Sequence, residues 1–203
     1  ADTATATNLD FALPSGFTIK NIETLSVTTN GAIGKGGTTN FDVSTISGLT
    51  SFVGVAAGTG SGTGSQIKAA GTTDVTLTVA GSDTATINGG KAVTVTAATG
   101  TSTVTGSALT SVNVTKGGTT TIDNTDATGT TSVGTTLTAV TLGNDGNGAV
   151  KGAAIATIDL SGQGAGGTAR TVTVSNGTAN HTRTLNANGT GYQSDADATE
   201  QQT

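Results

Sequence analysis

The chain of 203 residues has no cysteine, no methionine and no tryptophan, and one proline, one histidine and one tyrosine. Without cysteine there is no disulfide framework, and His181 alone cannot build a Cys/His zinc site. Aromatic residues make up 2% of the chain, so it lacks stacking platforms for bases or sugar rings. Eight Lys/Arg stand against thirteen Asp/Glu, a net charge of −5, which excludes nucleic acid as a partner. No apolar run approaches the roughly 20 residues of a membrane-spanning helix. Charged residues are 10% of the chain, against about 25% in an average soluble domain.

In their place stand 32 glycines and 48 threonines. Dominance of Gly, Ser and Thr suits a linker as well as a fold. Modest net charge, the isolated Pro14 and a strict apolar pattern favour ordered β structure. With few aromatics to fill a core, the apolar volume comes from Val, Ile, Leu and Ala. Small β-branched residues of this kind fill a narrow interior layer by layer.

The recurring unit is apolar-x-x-apolar-x-apolar. It reads Ile22-Glu-Thr-Leu25-Ser-Val27, Leu109-Thr-Ser-Val112-Asn-Val114, Leu137-Thr-Ala-Val140-Thr-Leu142 and Ile155-Ala-Thr-Ile158-Asp-Leu160, with a looser copy from Leu49 to Val55. The last four residues of each alternate in and out like a half-buried strand, and the first turns a corner into it. Shorter alternating runs lie between, as in Val75–Val79, Val93-Thr-Val95 and Val172-Thr-Val174, bounded by Asn-Gly or paired glycines that accept positive φ. No segment has helical periodicity.

The units start at 22, 49, 109, 137 and 155. Repeats of 20–30 residues fit one or two turns of a β-solenoid, whose coils stack about 4.8 Å apart. The expected fold class is therefore all-β, a parallel β-helix or β-solenoid, with β-sandwich repeats as the alternative. Ten coils of about 20 residues would make a rod of roughly 50 Å. Leu25, Val27, Val112, Val114, Val140, Leu142, Ile158 and Leu160 are expected to face inward. The start, ADTATATNLD, has neither initiator methionine nor an apolar signal region. Residues 1–203 are accordingly read as one solenoid segment of a longer chain.

The opening stretch NLDFALPSGFTIKNIETLSV, from Asn8 to Val27, resembles RTX-type Gram-negative S-layer and large surface adhesin proteins, and the Thr/Gly/Val-rich remainder is similar to their threonine-rich β-strand-repeat regions. The resemblance implies a secreted protein at the bacterial cell surface that coats or tethers cells. It also implies parallel β-helix and calcium bound at G-G-x-G-x-D nonapeptides. No intact nonapeptide is present. The nearest echoes are a turn with Asn144, Asp145 and Asn147 and a second cluster with Asp123 and Asp126. Each offers two or three side-chain oxygens where calcium takes six to eight, so these are candidate calcium ligands and no cofactor is required. Asp195 and Asp197 read as a solvated tail.

A catalytic reading is weak. A serine nucleophile would need His181 as its base, and no G-x-S-x-G elbow exists. Sugar cleavage needs two placed carboxylates beside aromatic platforms, which leaves a β-helix polysaccharide-cleaving enzyme as a remote alternative. Thr-x-Thr steps such as Thr76-Leu-Thr78 and Thr94-Val-Thr96 pair hydroxyls on one strand face, as ice-binding arrays do. The irregular gaps between units argue against register and for ordinary strand propensity. The Asn-x-Thr sequons at Asn113, Asn176, Asn180 and Asn188 arise readily in a chain so rich in threonine. The functional expectation is a structural, non-enzymatic surface segment. Its expected partners are copies of itself or other parts of the same surface layer, with cell-surface polysaccharide as a further partner and a ligand-binding adhesin module as the alternative function.

Overall fold

A computed structural model describes residues 2–7, 18–34, 40–58, 64–125, 134–143, 146–160, 172–175 and 184–186. The described residues contain sixteen strands and no helix, hence none long and apolar enough to cross a membrane. The strands are β1 (Thr3–Thr7), β2 (Thr24–Thr29), β3 (Phe41–Asp42), β4 (Ser51–Ala56), β5 (Ser65–Ala69), β6 (Asp74–Val79), β7 (Ala85–Gly89) and β8 (Ala92–Ala97). They continue as β9 (Ser102–Thr105), β10 (Ser111–Lys116), β11 (Thr120–Asp123), β12 (Ala139–Leu142), β13 (Gly148–Lys151), β14 (Thr157–Asp159), β15 (Val172–Ser175) and β16 (Thr184–Asn186).

Even-numbered strands, with β1, form a nine-stranded sheet in the order β1-β2-β4-β6-β8-β10-β12-β14-β16. Odd-numbered strands form a seven-stranded sheet, β15-β13-β11-β9-β7-β5-β3. All pairings are parallel. Alternation between two parallel sheets is the signature of a β-solenoid in which each coil gives one strand to each sheet. Nine strands make eight steps of about 4.8 Å, so the described stack is roughly 38 Å long, shorter than the sequence-based expectation.

The core is a set of columns, each residue stacked on its register partner in the next coil. In the larger sheet one column runs Leu25, Phe52, Val75, Val93, Val112, Val140, Ile158. The next runs Val27, Gly54, Leu77, Val95, Val114, Leu142. In the smaller sheet Phe41, Ile67, Ile87, Val104, Ile122, Val150 and Val174 stack in one line. All eight residues expected inward are buried. Phe41 and Phe52 meet across the two sheets with ring centroids 5.9 Å apart. Gly54 leaves the space their neighbours fill, since a Cβ there would lie 2.9 Å from Ile33 Cδ1 and 3.0 Å from Leu77 Cδ1.

Threonine has a second use at the corner leading into the larger sheet. Thr50 donates its hydroxyl to the Glu23 carbonyl (3.1 Å), Thr73 to Leu49 (3.1 Å), Thr110 to Lys91 (3.2 Å) and Thr138 to Thr110 (3.3 Å). Each bond links one coil to the one before it. A side-chain hydroxyl thus satisfies carbonyl lone pairs where the strand ladder begins.

The coil repeat, read from strand register, is 18 residues from Val75 to Val93, 19 from Ala92 to Ser111, and 27 or 28 where connections are longer. Extra residues enter between strands, so register inside the sheets is kept. Thr76 and Thr78 therefore stand opposite Thr94 and Thr96. The expectation that irregular gaps would spoil the hydroxyl register is corrected on this point.

Candidate functional site

Of the candidate calcium ligands, Asn144, Asp145 and Asp126 lie outside the described residues, as does His181. Asp123 closes β11 and Asn147 directly precedes β13. Thr120 pairs with Gly148 and Asp123 with Lys151, so Asp123 and Asn147 sit at opposite ends of this strand pair, roughly 13 Å apart along the strands. They do not share a site. The Asn147 carbonyl accepts the Thr120 amide (2.8 Å) and serves the ladder. Asp123 faces a cation already, because Lys151 Nζ lies 3.7 Å from its Oδ2. Its other oxygen is buried with no hydrogen-bond partner among the described residues. Among those residues no three His, Cys, Asp or Glu side chains gather closely enough to hold a metal.

Asp123 and Lys151 belong to an outward column of the smaller sheet: Asp42, Lys68, Asn88, Thr105, Asp123, Lys151, Ser175. Lys68 donates to Asp42 Oδ2 at 2.8 Å, between neighbouring coils. Partial burial pushes the Asp42 carboxyl up, but hydrogen bonds from Lys68 and from the Ser44 hydroxyl and amide bring it below the usual carboxylate range. At the opposite corner Glu23 is lowered by accepting the Asp2 amide.

The same column edges a groove of about 550 Å³ lined by Asn40, Lys68, Asn88, Thr105 and Ser107 over a floor of Gly89 and Gly106. Asn88 Nδ2 donates to Asn40 Oδ1 at 3.4 Å. The groove presents two carboxamides, two hydroxyls and an ammonium already paired with Asp42. Such a set hydrogen-bonds a polar ligand but holds no nucleophile–base pair among the described residues. Sequence reading missed it. Its walls come from coils 17 to 26 residues apart (Lys68 opposite Asp42 and Asn88, Asn88 opposite Thr105), and only the register brings them together. The paired turn glycines at Gly89-Gly90 were the available signal.

The outer face of the larger sheet is different in kind. One column runs Ser26, Val53, Thr76, Thr94, Asn113, Thr141 and a second runs Thr28, Val55, Thr78, Thr96. Neither contains a charged residue over these strands. The first column meets a charge only at Asp159 on β14. The second ends at a bulge in β10, where Lys116 pairs with Thr96. There the Thr96 and Thr115 hydroxyls hydrogen-bond each other at 2.7 Å.

No known family model, no curated protein and no solved structure matches the chain.

Proposed function

We propose that this chain is a structural, non-enzymatic module of an extracellular bacterial surface assembly, an S-layer or surface fibre of the RTX-like kind, and that it works by stacking and self-association. The observation that carries this reading is the continuous parallel pairing of the nine-stranded sheet, broken in register only by the bulge in β10 among the described residues. Backbone pairing, core columns and corner hydroxyls all join one coil to the next, so the chain is built as a stiff rod. Absence of cysteine frees its folding from oxidants, and absence of methionine and tryptophan removes easily oxidised sites. Both suit service outside the cell.

Negative-stain imaging of the purified chain, with and without calcium, tests the reading. Sheets, fibres or ordered clusters are expected. Monodisperse single particles at every concentration in both conditions would sink it.

A second reading, a ligand-binding adhesin module, is favoured by the polar groove beside Lys68 and Asn88. Cell-surface polysaccharide is its natural ligand class, since paired carboxamides and hydroxyls match sugar hydroxyls. Binding of a saccharide panel that is lost in Asn88→Ala, with assembly unchanged, would support this second reading.

A further inference from the structure

Two long sheet faces point outward, and their chemistry is unequal. On the smaller sheet, the column from Asp42 to Ser175 carries Asp42, Lys68, Asp123 and Lys151. On the larger sheet, from β2 to β12, two of the three outward columns carry Ser, Thr, Val and Asn only, up to the bulge at Lys116, and the third carries one charge over these strands, Asp74. Val53 and Val55 point outward together on β4, both half-buried. Their neighbours Thr76, Thr78, Thr94 and Thr96 add methyl groups at the same height. Two adjacent columns free of charge mark this surface off from the smaller sheet, with Asp74 at the start of β6 and Lys116 at the end of β10 on their rim.

We propose that two copies of this chain stack face to face through the outer surface of the larger sheet, with Val53, Val55, Thr76, Thr78, Thr94 and Thr96 at the centre of the contact. The proposal rests on the self-associating reading above and names the surface that performs it. Area supports it. The six strands β2 to β12, each about 4.8 Å from the next and up to about 20 Å long, present on the order of 600 Å². That is most of the roughly 800 Å² per partner of a standard stable interface. Over the two uncharged columns side chains of similar size on both copies interdigitate, the packing that joins sheets in dry zippers, while Asp74 and Lys116 stay at the solvated rim. On the smaller sheet, the same contact would desolvate the Asp42–Lys68 and Asp123–Lys151 pairs, which costs free energy unless their geometry survives.

The cysteine-free chain allows a clean test. Single variants Thr76→Cys, Thr94→Cys and, on the opposite face, Thr103→Cys are treated with a bismaleimide that spans the roughly 10 Å between stacked sheets. Sedimentation velocity is measured in parallel on the parent and on Thr76→Glu/Thr94→Glu, with circular dichroism confirming the fold. The expected result is covalent dimer from Thr76→Cys or Thr94→Cys at least tenfold above that from Thr103→Cys. The double glutamate variant should keep its fold and weaken association at least tenfold. Association that persists in the glutamate variant, or cross-links chiefly through Thr103→Cys, would overturn the face while leaving the self-association reading intact. A monomeric parent at all concentrations would bring down both. A monomeric parent that arrests ice growth would show that the hydroxyl columns meet crystalline water instead.

Discussion

Substituting Asn124 by Asp changes one side-chain group, amide for carboxyl, at a fully buried position. Asn124 lies at the corner after β11. Its Nδ2 donates to the Gly106 carbonyl at 2.7 Å, and its Oδ1 accepts the Leu137 amide at 3.4 Å. The ionised carboxylate of the variant loses the donation and points an anion at the Gly106 oxygen. The lost bond with a buried carbonyl left unpaired costs about 1–3 kcal/mol. Burial raises the folded-state pKa of the new carboxyl, and each unit of rise costs about 1.4 kcal/mol at neutral pH. With a rise of about two units, the sum is about 4–6 kcal/mol, or roughly 10–20 °C in melting temperature for a chain of this size. The sign of the pH dependence follows. Because the folded pKa lies above the unfolded value of about 3.9, the charge penalty is absent below that value. It grows as pH rises and levels off once pH passes the folded pKa. Thermal melts followed by circular dichroism at pH 4 to 8 should show the variant closest to the parent at pH 4 and falling away above it. Asn124→Ala should lose about 1–3 kcal/mol without the pH slope. An Asn124→Asp chain that melts with the parent at pH 7, or runs parallel to it across the range, refutes the corner assignment.

Three further outcomes are expected. Val114→Asp places an unpaired carboxylate in the middle of the larger sheet's core and should abolish the cooperative melt or lower it by more than about 4 kcal/mol; a parent-like melt would mean that the register is wrong. Asp42, whose carboxyl is held below its usual range, lends stability above the unfolded pKa that is lost as pH falls through the folded one. Melts of the parent should therefore drop below about pH 4, and Asp42→Asn should flatten part of that drop; identical acid profiles would remove the ion pair from the account. The chain should also melt alike in chelator and in millimolar calcium. A rise of several degrees with calcium, abolished by Asp145→Ala or by Asp123→Ala with Asp126→Ala, would establish the metal site that its ligand count argues against.

The larger sheet was legible in the sequence because its strands carry two or three inward apolar residues in alternation, as in Val112 and Val114 or Val140 and Leu142. The coil count was not. Between the units starting at Leu49 and Leu109 lie two coils whose corner position is Thr72 in one and Gly90 in the other. Gly90 has φ 93°, and a Cβ there would stand 3.0 Å from Val93 Cγ2. That corner takes a glycine in place of the apolar residue that marks the start of the repeat unit. The smaller sheet was harder still. Its inward line has one large apolar residue per strand, flanked by small ones such as Ser65, Ala85, Ser102 and Thr120. A single Ile87 or Val104 between small residues shows no alternation. The groove beside Lys68 and the uncharged outer columns depend on register between distant coils, which no local pattern encodes.

Unequal coils over a common strand stack also set how the rod answers a pull along its length. Each coil holds its neighbours chiefly through one strand pair per sheet, so load applied at the two ends reaches those pairs one after another. Yielding then proceeds by peeling from a free end. Each event releases one coil of 18 to 28 residues, which is about 60–95 Å of slack chain at ~3.4 Å per residue. The long coils, paired Thr24 to Ser51 and Ser111 to Ala139, give the larger extensions, and the tight ones from Val75 to Val93 and Ala92 to Ser111 the smaller. A tether built this way dissipates load in graded steps, with the size of each step written into the length of its connections.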